Sequence, residues 1–260
     1  MAGPTTAERG ARQKPESGSL RPPRAARLFR LRMLIILFLV VMATGGSVWL
    51  LYGSSWLRLT RVSVSGTRVM TDAQVREAAG VRLGTPLISL DTDEIEARLR
   101  RELPRIDSVE VVRSWPHGIG LNVTERTPVL ILASGGKFIE VDKGGVRYAT
   151  IPQRPKSVPA LELTVTRSAS LSRFGTTRLV REAARVTRDL PADVARDLRT
   201  VKVRSYDAVS LELSGGRTVV WGSSERGRAK AATLAALMKT APRARHFDVS
   251  VPTAPASSGS

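Results

Sequence analysis

Residues 113–128 read Arg113-Ser-Trp115-Pro116-His-Gly-Ile119-Gly-Leu121-Asn-Val123-Thr-Glu125-Arg126-Thr-Pro128, and their pattern decides how the neighbouring segments are read. Ile119, Leu121 and Val123 alternate with Gly120, Asn122 and Thr124, a period of two that predicts a half-buried strand over 118–124. Trp115-Pro116-His117-Gly118 is a turn, with Trp115 read as a packing residue that fixes it, and Ser108–Arg113 ahead of it is a second strand. Helices precede this pair. Ile95, Leu99 and Leu103 recur every four residues within Asp91–Leu103, with acids in the first turn and Arg98, Arg100 and Arg101 toward the end, as a helix dipole favours. Pro104 stops that helix. Thr71-Asp72 offers an N-cap to a shorter helix bearing Val75, Ala78 and Ala79 and closed by Gly80. Before it, Leu59–Ser65 is a short strand ending at Gly66. The order is β-α-α-β-β, two helices on one face of a three-stranded sheet. Val62, Val64, Ile95, Leu99, Val109, Val111, Ile119 and Leu121 are its expected core.

Upstream, Met33–Leu57 runs MLIILFLVVMATGGSVWLLYGSSWL without a charge. About 20 apolar residues suffice to cross the hydrocarbon core as a helix, so residues 33–54 are read as a transmembrane helix. Trp49, Tyr52 and Trp56 gather at its far end, where amphipathic rings favour the headgroup layer, and serve as the membrane anchor. Arg21, Arg24, Arg27, Arg30 and Arg32 abut its near end and hold the N-terminus in the cytoplasm. A cleaved signal would pair a shorter apolar run with an A-x-A-like site, and none follows here. Residues 1–32, rich in proline and arginine, are read as a disordered basic cytoplasmic tail.

Downstream, Val129–Ala133, Lys137–Val141 and Val146–Ala149 alternate as strands, and Pro152–Pro159 is a loop. A helix over 177–189 follows, then strands over 200–204, 208–213 and 218–221, and a helix over 225–240. In His246–Val251 the apolar Phe247, Val249 and Val251 alternate with polar neighbours. Pro252 and a Pro/Ser/Gly tail, 252–260, read as disordered, leave this strand at the sheet's edge.

The 41 Lys+Arg against 23 Asp+Glu give a net charge of +18, and 34 of the basic residues are Arg. The absence of cysteine excludes disulfides, thiol nucleophiles and Cys-ligated metal. His117 and His246 are too few for an all-His metal site and stand near no serine elbow, so both are read as surface residues. Gly118-x-Gly120 opens a strand and Gly136-Lys137 lacks the P-loop frame, so neither cradles a phosphate. No catalytic constellation, metal site or cofactor is expected. Only 5% of residues are aromatic, too few to interleave with the basic residues as a base-stacking platform, and no nucleic acid is expected. The surplus cations of 128–260 fit attraction to anionic wall polymer, lipid or an acidic partner.

The run Val62-Ser-Val64-Ser-Gly66, then Arg113, Trp115-Pro116 and Glu125-Arg126-Thr-Pro128, resembles the FtsQ/DivIB family of bacterial cell-division proteins, with Gly136-Lys-Phe-Ile-Glu-Val141-Asp142-Lys-Gly144 matching further on. The resemblance implies an α+β chain: an N-terminal transmembrane helix, a POTRA domain over 57–127, and a mixed β-rich domain over 128–251 with a C-terminal helix and edge strand. It also implies a non-enzymatic divisome scaffold at the septum, linking early and late division proteins and helping control septal peptidoglycan synthesis. Its partners would be single-span proteins of the FtsB and FtsL types, with other septal synthesis proteins beside them. The FtsB-type partner would add a strand to the edge formed by Phe247, Asp248, Val249, Ser250 and Val251. The alternatives are a POTRA-bearing secretion or assembly component and an exported cell-wall-binding protein.

Overall fold

The computed structural model describes residues 24–53, 55–164 and 169–259. Helix α1 spans Arg24–Val48 and passes into a wider π-turn over Trp49–Gly53. A stretch long and apolar enough to cross a membrane runs from Phe29 to Tyr52, with none of it buried. The helix therefore begins inside the basic segment, nine residues ahead of the expected start at 33, because arginine is a good helix former. The rest of the tail, residues 1–23, lies outside the described residues, as does Ser54.

Among the described residues the strands form two sheets. The first contains β1 (Arg61–Ser65), β2 (Ile106–Ser114) and β3 (Gly118–Glu125) in the order β1-β3-β2. β1 runs parallel to β3, and β2 antiparallel to it. Helices α2 (Asp72–Ala79) and α3 (Thr92–Glu102) cover one face. Both begin where local chemistry places them. Thr71 and Gln74 form a reciprocal capping box on α2, and the Asp91 carboxylate accepts from the Glu94 amide on α3. Gly80 closes α2 in the left-handed conformation. Leu59, Val75, Leu87, Leu99, Ile119 and Leu121 are buried between the layers, with Val62 and Val64 partly buried against them.

The second sheet has nine strands: β4 (Pro128–Ser134), β5 (Lys137–Asp142), β6 (Arg147–Ile151), β7 (Ala160–Leu163), β8 (Leu198–Ser205), β9 (Ala208–Leu213), β10 (Thr218–Gly222), β11 (His246–Asp248) and β12 (Ala256–Ser258). Their spatial order is β12-β11-β10-β9-β8-β7-β4-β5-β6. Helix α4, Ala169–Asp189, is two helical segments that meet at a break at Gly175. Its part beyond the break sends Leu179, Val180, Ala183 and Val186 into the core with Trp221, Phe247 and Leu234 of α6 (Gly227–Thr240). A short helix α5, Ala192–Asp197, leads from α4 into β8.

Two features depart from the sequence reading. β7, α5 and β12 form where no element was expected, and β11 stops at Asp248 rather than Val251. Residues 256–258, expected to be disordered, pair antiparallel with β11. β11 therefore has a strand on each side, and the sheet's edge at this end is β12.

Candidate partner-binding edge

The C-terminal end of the large sheet is built from very short strands. Phe247 and Val249 are buried, which locks their alternation to the core. Arg245 O accepts from the Thr218 amide at 2.7 Å, and the Val249 amide donates to Val220 O at 3.0 Å, both toward β10. Backbone direction alternates along a strand, so His246 and Asp248 face β12, opposite Ser258 and Ala256. The residue of β12 whose N–H and C=O then point away from β11 is Ser257. At the strand entry, the Arg245 amide reaches Ser258 O and Gly259 O at 3.1 and 2.9 Å.

The expected edge residues thus separate. Phe247 and Val249 are core; Asp248 accepts from the Ser250 amide and hydroxyl at 2.9 and 2.7 Å, closing a local turn; Val251 is exposed. None of the five presents a free strand edge: the polar segment 256–258 pairs along 246–248, and Val249, Ser250 and Val251 lie beyond the end of β11. All three residues of β12 are exposed. His246 is exposed and its Nδ1 lies 2.7 Å from Thr218 Oγ1, while His117 is half-buried in the β2–β3 turn.

The POTRA motif residues are mostly occupied in holding the small domain together. A Cβ on Gly66 would stand 2.0 Å from Val123 O, and its φ of +84° disfavours any other residue. Arg113 bonds the carbonyls of Leu87 and Leu90 at 3.3 and 2.5 Å, clamping the turn ahead of α3. The Glu125 carboxylate accepts from the amides of Arg68, Val69 and Met70 at 2.8 to 3.1 Å. Burial pushes the Glu125 carboxyl up, but these amide bonds outweigh it and hold its pKa below the usual carboxylate range. Trp115 is the exception. It was expected to pack, yet half of its surface is exposed, and Pro116 follows it in a cis peptide bond.

Arg126 and Pro128 join the two sheets. Arg126 donates to Pro104 O, to Asp107 at 3.1 Å and to Asp142 of β5, while Arg105 pairs with Glu140 at 2.7 Å and lies over the Tyr148 ring. Burial, and next the neighbouring Glu140, push the Tyr148 phenol up. Pro128 opens β4 opposite Asp142. Beside this junction Arg178, Arg181, Arg185 and Arg188 line one face of α4, and with Lys143 they bound an open groove of about 630 Å³. The spacing of these arginines, three or four residues apart, was visible in the sequence but was not singled out there. Lys230 on α6 is buried, donating to Trp221 O and Ser223 O at 2.9 and 2.8 Å, and burial lowers its pKa.

A span, a small capped α/β domain and a large sheet ending in an exposed three-residue strand together define a membrane-anchored α+β protein. The FtsQ-type POTRA family model matches residues 57–126. The cell division protein FtsQ of Streptomyces collinus is 67% identical over 265 residues, covering 100% of both chains. That of Streptomyces coelicolor is 66% identical over 267 residues, again 100% of both, and that of Mycolicibacterium smegmatis 31% identical over 252 residues, 96% of this chain and 72% of the other. The major extracytoplasmic domain of DivIB from Geobacillus stearothermophilus shares 18% identity and a TM-score of 0.32, over 45% of this chain and 92% of that one. The chain belongs to the FtsQ/DivIB family of cell division proteins. Its role is in cell division, as a bitopic membrane protein with an extracytoplasmic domain, in a family that is a POTRA-type scaffold and not a known enzyme family.

Proposed function

We propose that this chain is a non-enzymatic scaffold at the division septum, linking early and late division proteins and helping control septal peptidoglycan synthesis. It binds a single-span partner of the FtsB type, together with one of the FtsL type, by adding the partner's strand to the outer side of β12. The observation that carries the reading is the exposed, three-residue β12 closing one end of the nine-stranded sheet. An edge strand offers backbone donors and acceptors to an incoming strand and so tolerates varied side chains. The arginine face of α4 gives a second contact for acidic side chains or anionic polymer. The test is co-purification of an FtsB-type partner with the full chain and with Ser257→Pro, alongside the position of a fluorescent fusion in dividing cells. Undiminished capture by Ser257→Pro rejects strand addition at β12. Even membrane staining without midcell enrichment rejects the septal role.

A further inference from the structure

We infer that the near end of the POTRA domain is itself a membrane-contacting surface, seated in the headgroup layer on Trp56, Leu83 and Trp115. The inference needs only the membrane span, not the division partners.

The span ends at Tyr52, and Leu57 is already buried, next to the Arg58 bridge to Pro86 of the small domain. At roughly 3.6 Å per residue, the five steps between them reach at most about 18 Å. The headgroup layer extends about 5–7 Å beyond the hydrocarbon on each side. Even fully extended, this tether holds the near end of the domain within about 13 Å of the headgroup layer. The end of the span itself meets the domain, since the π-turn Trp49–Gly53 lies against the turn Leu87–Ser89.

Two loops flank the incoming chain at that end. The Leu59 amide donates to Thr85 O at 2.9 Å and the Gly84 amide to Leu59 O at 2.8 Å, on one side. On the other, the Thr60 amide donates to His117 O at 2.9 Å. The first loop is a tight turn, Arg82-Leu83-Gly84-Thr85, closed by Thr85 N–H to Arg82 O. Gly84, at φ +86°, lets the turn project Leu83 at its tip, where the side chain is 66% exposed. Trp115 stands in the second loop, 50% exposed, and Trp56 on the tether is 65% exposed. Exposed Arg58, bridged to Pro86, and exposed Arg82 adjoin them.

Isolated exposed apolar side chains are ordinary, and Val69 at the opposite end of β1 is one. Three large ones at the end facing the bilayer, two of them tryptophan and with arginines alongside, are the composition of a membrane interface. Lipid is the occupant favoured over a protein because the surface is continuous with the span.

The chain has no cysteine, so single labels are clean. The full chain carrying Leu83→Cys, Trp115→Cys or Ser134→Cys is labelled with a fluorophore and reconstituted in nanodiscs of phosphatidylcholine and phosphatidylglycerol that hold a headgroup-level lipid quencher. Ser134 lies in the β4–β5 hairpin, at the end of β4 remote from the POTRA junction. Labels at 83 and 115 are expected to be quenched several-fold more than the label at 134. Quenching at 83 no greater than at 134 overturns the proposal, as does quenching at 83 that requires an added protein. If Trp115→Cys disturbs its turn, Leu83→Cys carries the test, because its side chain stands at a turn tip.

Discussion

The POTRA domain and the C-terminal edge treat their polar groups in opposite ways. In the POTRA domain Arg113 and Glu125 each bond two or three backbone groups of neighbouring turns, and Gly66 lets β1 close against Val123 O. At the C-terminal edge the strands are three residues long, the apolar residues point inward, and the outermost strand is Ala-Ser-Ser. A domain whose conspicuous residues are bonded internally makes a rigid base. An edge whose side chains are small and whose backbone faces outward leaves recognition to whatever strand is added to it.

The sharpest way to break this contrast is at the inner rung of the edge. Val249→Pro removes the N–H bonded to Val220 O and a fully buried side chain. Proline cannot donate to the ladder and leaves the pocket of the buried valine ill-filled, so calorimetry should show the large-sheet transition lost. Leu99→Ala, fully buried under the small sheet, should lower POTRA stability by about 2–5 kcal/mol while leaving the large-sheet transition in place. Movement of both transitions together would mean that the Arg126 and Arg105 ion pairs fuse the domains into one cooperative unit. Glu125→Gln should cost about 1–2 kcal/mol near neutral pH, since it weakens charge-assisted bonds to three amides. Because the folded pKa of Glu125 lies below the ordinary carboxylate value, that stabilisation is complete above the unfolded pKa. It is lost as pH falls through the folded one, so wild type and Glu125→Gln should converge in acid. A gap that persists there would show that shape, not charge, holds the 68–70 loop. Smallest for the fold is Ser257→Pro, expected within about 0.5 kcal/mol because its N–H points away from β11. Unfolding by Ser257→Pro would reverse the assignment of inner and outer residues on β12.

What the chain wrote plainly into its sequence was local. The span followed from twenty-five uncharged residues, and α2 and α3 followed from the caps at Thr71 and Asp91 and from apolar spacing. β3 followed from strict alternation, and β2 from its place ahead of a Trp-Pro turn. Each of these depends on residues within a few positions of one another. The edge did not. Ala160–Leu163 alternates over only Leu161-Glu162-Leu163, too short a run to mark a strand, and becomes β7 because β4 and β8 lie on either side of it. Ala256–Ser258 has no apolar face and becomes β12 only because β11 offers unpaired backbone. Trp115 read as a packing residue fixing its turn, and Leu83 carried no signal of its own, until the fold set them at one end, beside the exit from the span. Periodicity reports which face of an element is buried, but which strand ends a sheet is a property of pairings between distant segments, and only the folded chain decides it.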